Sequence, residues 1–161
     1  MTKTNAARIL DRQGIAYELL AYEVDESDLS AVAVAAKLHQ PVDQVFKTLV
    51  LRGDKSGIFV CIIPGAEEVD LKKAARISGN KSAEMVHMKE IFSLTGYVRG
   101  GCSPIGMKKD YPAFIDESCI LLDHIFVSAG IRGLQLKIAP EDLIKVTDCR
   151  MGDLIVRKNQ G

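Results

Sequence analysis

The sequence predicts one α/β domain, α+β in its layout, spanning residues 1–161, with a mixed and largely antiparallel sheet flanked by helices. Three observations carry that expectation. Two pairs of apolar, β-branched runs are separated by short glycine-bearing turns, the pattern of hairpins. Stretches with helical spacing and capping residues fall between these runs rather than in a block of their own. No linker, repeat or low-complexity tract divides the chain, and 161 residues that are 47% hydrophobic suffice for one core.

The elements follow in order. Ala6, Ile9 and Leu10 form a short helical stripe that Gly14 is placed to end. IAYELLAYEV (15–24) reads as a strand, followed by the acidic turn DESD. A second helix is expected to present Leu29, Val32, Ala33 and Ala36, and Pro41 breaks it. VFKTLVLRG (45–53) pairs with IFVCII (58–63) through the turn RGDKSG. Asp70 can cap a helix with Leu71, Ala74 and Ala75 inside and Gly79 as its stop. AEMVH, MKEIFSLTG and AFID read as strand, helix and strand. HIFVSAG and LQLKIA form a second hairpin through GIRG. PEDLIKVT starts a helix with proline in the first turn and acids behind it.

Composition excludes several classes of function. Lys plus Arg and Asp plus Glu number 21 each, so any nucleic-acid contact must use a local patch rather than a global basic field. GIFVCIIPG, the longest apolar run, is too short to span a bilayer, and the first residues lack the apolar stretch of a signal peptide; a cytoplasmic protein is expected. Cys61, Cys102, Cys119 and Cys149 are widely spaced, as are His39, His87 and His124. Neither a zinc site nor any other metal site is expected, and reduced thiols fit all four cysteines.

Lys47 is the awkward residue of its strand. Side chains alternate along a strand, so Lys47 shares a face with Val45, Leu49 and Leu51. Either its stem snorkels to water near the strand's start, or the ammonium serves a site. TGYVRGGCSPIGMKK places Gly96, Gly100, Gly101 and Gly106 in one stretch without a dinucleotide or phosphate-loop signature. It is either a plain loop of tight turns or a place where backbone approaches a ligand. Lys108 and Lys109 at its end are either a solvated pair or phosphate contacts. Ser128 ends a strand, but no G-x-S-x-G elbow surrounds it and no histidine is placed as its base. Cys102 has no base or cation assigned by spacing, so neither residue reads as a conventional nucleophile.

VFKTLV, VDLKKAAR, TGYVRGGCSPIGMKK and IFVSAGIRGLQLKI occur in the order and approximate spacing of the YbaK/EbsC family, which the chain resembles from about Asn5 to its end. That family holds free-standing Cys-tRNA(Pro) deacylases and is related to the editing domain of bacterial prolyl-tRNA synthetases. The resemblance implies a partly barrel-like sheet. It also implies that Lys47 lines an editing pocket as the catalytic residue, with Thr48 shaping the same pocket. Gly100 and Gly101 match the G-G pair whose backbone meets the tRNA end or aminoacyl group. Ser128 matches the serine ending its strand, and Tyr22 a tyrosine of the early strand. Two places depart from the family: Leu29 and Ser30 stand where some relatives carry an aromatic residue, and Gln135 stands where an acid follows RGL.

The activity implied is deacylation of mischarged Cys-tRNA(Pro), with Cys-tRNA(Cys) as a second substrate, no cofactor, and the tRNA 3′ end and prolyl-tRNA synthetase as partners. A thiol carried by the substrate would make a protein nucleophile unnecessary. Two alternatives stand beside it: a water-based Ala-tRNA(Pro) deacylase, and a non-catalytic module that binds tRNA ends or the synthetase.

Overall fold

Thr4 opens the first helix by accepting a hydrogen bond from the amide of Ala7 at 3.3 Å. This helix, α1 (Asn5–Arg12), buries Ala6, Ala7 and Leu10. The computed structural model describes residues 3–157. Strand β1 (Glu18–Ala21) is shorter than the run from 15 to 24 suggests, because pairing with β7 (Leu134–Ile138) extends only from Glu18↔Lys137 to Ala21↔Leu134. Ser30 caps α2 (Ala31–Leu38), whose buried residues are Val34, Ala35 and Leu38. The expected face of Leu29, Val32, Ala33 and Ala36 is therefore wrong: Leu29 precedes the helix and Val32 is 57% exposed. AVAVAAKL is apolar on almost every side, so its spacing does not define one stripe.

The first hairpin forms as expected from β2 (Phe46–Gly53) and β3 (Gly57–Pro64), in register from Phe46↔Pro64 to Gly53↔Gly57. Asp70 accepts from the amides of Lys72 and Lys73 to cap α3 (Leu71–Ile77). Next come β4 (Ala83–Met85), a 3₁₀ turn at Met88–Glu90, and α4 (Ile91–Thr95), which ends at Gly96 in the left-handed region. Strand β5 (Ala113–Asp116) follows the glycine-bearing loop, and β6 (Ile125–Ser128) pairs antiparallel with β7 to make the second hairpin. Pro140 starts α5 (Pro140–Thr147), and β8 (Arg150–Gly152), absent from the sequence expectation, closes the sheet edge.

The strands form two sheets, β1-β7-β6 and β4-β2-β3-β5-β8. Antiparallel pairs dominate, while β3–β5 and β5–β8 run parallel. A single bridge between Val45 and Phe126 joins the sheets. The main core draws on both sheets, with Phe46, Ile62, Ile115, Ile125, Val127 and Leu136 among its buried residues. The bridge also creates a gap. The bridge to β6 lies at Val45, just before β2, and pairing of β2 with β4 begins at Leu51, so the edge between them has no strand partner. Among the described residues, no helix is long and apolar enough to cross a membrane.

Candidate functional site

A cavity of about 570 Å³ occupies that gap. Its floor is the open stretch of β2, from Val45 to Leu49. Successive side chains point to opposite faces of a strand, yet Lys47 and Thr48 both line the cavity because it wraps the unpaired edge. The backbone adds a polar contribution. Val50 accepts from the amide of Val86 on this side, so the alternation of strand hydrogen bonding turns the amide and carbonyl of Thr48 the same way.

Of the residues singled out in the sequence, Tyr22, Lys47, Thr48, Gly100 and Ser128 come together around this one cavity, along with Leu29, Ser30, Cys102 and Gln135. Gly101 does not line it. That residue is buried behind Gly100, where a Cβ would sit 3.2 Å from the backbone of Ile131 and Arg132. Gly100 has φ of +82°, and a Cβ there would meet Arg132 Nε at 3.1 Å and Leu29 Cδ1 at 3.2 Å. Arg132 ties the walls together. Its Nε donates to the carbonyl of Arg99 at 2.8 Å, and its Nη1 pairs with Glu26 at 2.6 Å. Lys108 is exposed and donates to the carbonyl of Ser93 at 3.2 Å. Lys109 lines a different cavity, of about 650 Å³, beside Arg12, Asp110 and Asp148. The larger cavity includes none of the Lys-Thr pair, the serine or the glutamine.

The electrostatics of the site centre on Lys47. Burial pushes its pKa down, and the charges of Glu68 and Glu67 pull partly the other way. No ion pair among the described residues involves Lys47. Two further polar atoms are left over: Thr48 Oγ1 and Gln135 Oε1 are buried without a hydrogen-bond partner among the described residues. Native proteins rarely leave such groups unpaired, and the exceptions concentrate at sites that take a ligand or water. Gln135 is only 6% exposed and sits across the strand pair from Ser128. Ser128 Oγ accepts from the amide of Gly130 at 3.1 Å and has no histidine in the cavity to activate it. The arrangement offers two cations, Lys47 and Arg99, one carboxylate, Asp28, a few hydroxyl and amide groups, and no catalytic triad.

Cys102 is the one thiol facing the cavity. Burial pushes its pKa up to about 11, with a hydrogen bond from Thr95 only partly offsetting that. A thiol so weakly acidic supplies almost no thiolate at neutral pH. Cys102→Ala is therefore expected to retain most of any activity. A well-folded alanine variant that loses turnover completely would make the protein thiol the nucleophile.

Sequence reading missed the wall formed by Asp28, Val34, Met85, Met88 and Ile91. Met85 and Met88 are 44% and 61% exposed, an unusual state for large apolar side chains, but nothing in their local pattern marks them as part of a site.

The family model for the aminoacyl-tRNA editing domain matches residues 26–146. An Enterococcus faecalis protein named "Putative Cys-tRNA(Pro)/Cys-tRNA(Cys) deacylase EbsC" is 43% identical over 97% of this chain and 95% of its own length. YwhH of Bacillus subtilis is 25% identical over 75% of this chain and 76% of its own. A solved structure described as "a putative trans-editing enzyme for prolyl tRNA synthetase" superposes with a TM-score of 0.81 at 25% identity, covering 97% of this chain and all of the other.

Proposed function

The chain belongs to the aminoacyl-tRNA editing domain family, and we propose from that premise that it removes cysteine from mischarged tRNA, taking Cys-tRNA(Pro) and Cys-tRNA(Cys) as substrates. One observation carries the reading beyond family likeness. The cavity brings an ammonium without an ion pair, Lys47, together with two buried polar atoms without partners, on Thr48 and Gln135. That is a site built for a polar ligand, and about 570 Å³ accommodates an aminoacyl group together with its terminal nucleoside.

Such an activity answers a limit on recognition. One small group in an apolar pocket is worth only about 1–3 kcal/mol, so a proline-accepting synthetase cannot fully reject cysteine. In the proposed reaction, the cysteinyl thiolate attacks its own ester carbonyl. A carbon–sulfur bond forms and the ester carbon–oxygen bond breaks. The ribose oxygen leaves with the electron pair and takes a proton from water. The cyclic thioester then hydrolyses to free cysteine. Lys47 favours the thiolate and steadies charge on the carbonyl oxygen. The backbone of Gly100 and the side chains of Tyr22 and Ser128 orient the ester, while Thr48 and Gln135 take its hydrogen-bonding groups. Prolyl-tRNA synthetase, which releases the mischarged tRNA, is the natural partner.

The experiment is deacylation measured side by side on Cys-tRNA(Pro), Ala-tRNA(Pro) and Pro-tRNA(Pro). Release of cysteine alone supports this reading. Preferential release of alanine would replace it with the water-based alternative, and binding without release would make the chain a non-catalytic module.

A further inference from the structure

The rim of the cavity has two chemically different sides. Asp28 lines one of them, in the same turn as Asp25 and Glu26, with Glu26 paired to Arg132 and Arg99 also lining the cavity. On the other, Met85, Met88 and Ile91 form the wall, and Phe92 beside them is 60% exposed. Met88 and Phe92 are four residues apart where the 3₁₀ turn runs into α4, a spacing that makes their side chains neighbours. An ion pair braces this side. Arg52 binds both carboxylate oxygens of Glu90 at 2.9 and 3.5 Å, and Glu90 also accepts from the amide of His87 at 3.1 Å. Cations flank it: Lys89 is exposed, and Lys108 reaches the carbonyl of Ser93, the residue after Phe92.

We propose that the single-stranded 3′ end of the RNA leaves the cavity over this side, its terminal base resting on Met88 and Phe92 and its phosphates meeting Lys89 and Lys108. The inference rests on the deacylase reading and adds the route of the nucleic acid. An ester held at Lys47 carries its nucleoside to the rim, so the base must settle on one side or the other. Phosphates are attracted by the two exposed lysines, whereas on the other side Arg132 is already engaged by Glu26. An aromatic and thioether surface between cations is the combination that holds single strands, through stacking and charge together. It also gives Lys108 a place in substrate binding although it stands outside the cavity.

The test uses the full chain and a CCA trinucleotide RNA whose last base is 2-aminopurine. Binding to the wild-type protein is expected to quench the fluorescence. Phe92→Ala and Met88→Ala should each weaken binding by about tenfold and abolish the quench. Each should raise KM for the charged tRNA while leaving kcat and the melting curve in place, since both side chains are exposed. The paired change Lys89→Ala with Lys108→Ala should flatten the salt dependence of binding. Unchanged quench and KM in Phe92→Ala, or equal affinity for a trinucleotide lacking its last base, would overturn the route. Wild-type protein that shows the base-dependent quench but releases no cysteine would retire the deacylase reading and keep the route.

Discussion

Lys47→Ala is expected to slow single-turnover release of cysteine from Cys-tRNA(Pro) by about a hundredfold, the scale of removing one positioned charge from a site. The fold should not suffer. At neutral pH the half-buried ammonium is a burden on stability, because burial lowers its pKa from the ordinary 10.5. The sign follows from proton linkage. Between the lowered folded value and 10.5 the unfolded chain holds more protons, so stability rises with pH across that window and the penalty is fully present below it. Lys47→Met, which keeps the stem and removes the charge, should therefore melt at the same temperature as the wild type or above it while remaining slow. Lys47→Arg should also be impaired, since a guanidinium is wider and hydrates differently. Activity should rise with pH as the substrate thiol ionises and fall again below 10.5 as Lys47 loses its proton. The alkaline limb should disappear in Lys47→Met. Wild-type rates in a folded Lys47→Ala protein would remove this residue from the site.

The second large effect lies in the substrate. Ser-tRNA(Pro) differs from Cys-tRNA(Pro) by one atom and is close to it in size, yet it should be processed at least about a hundredfold more slowly. A hydroxyl is hardly ionised near neutral pH, whereas a thiol of pKa near 8.5 is partly thiolate and intrinsically more nucleophilic. The cavity itself gives no reason for so large a difference, because its roughly 570 Å³ does not separate groups of nearly equal volume. Equal rates for the two would move the chemistry to a bound water and leave the pocket selecting on size.

Much of the fold was legible because its signals are local. The turns RGDKSG and GIRG place the two hairpins, and Asp70 and Pro140 mark helix starts through chemistry within a few residues. What escaped depends on distant partners. Strand β8 is three residues long and exists because β5 lies beside it in parallel, an arrangement no short-range pattern encodes. The inward face of α2 is chosen by the Val45 and Phe126 cluster on which Val34, Ala35 and Leu38 pack, since the alanine-rich segment has no stripe of its own.

The site divides in the same way. Lys47 stands out in the sequence because an ammonium interrupts an apolar face, and the paired glycines stand out through their spacing. Thr48 becomes a lining residue only because β2 loses its partner between Val45 and Leu51, a consequence of where β4 and β6 end. Met85, Met88 and Ile91 carry no local mark of a site, and only the gap leaves them facing one. Gln135 is visible in sequence only as a neutral side chain where relatives carry an acid. Its burial beside Ser128, with Oε1 unpaired among the described residues, is a tertiary fact.

The account stands most directly on whether the free-standing chain, without synthetase, releases amino acid from a tRNA charged with cysteine. Single-turnover assays with excess protein over Cys-tRNA(Pro) and Cys-tRNA(Cys), beside Pro-tRNA(Pro), measure this. The expected result is rapid loss of cysteine from both and intact Pro-tRNA(Pro). Stable Cys-tRNA under these conditions, or release of cysteine and proline at equal rates, would contradict the assignment of this cavity to cysteine editing.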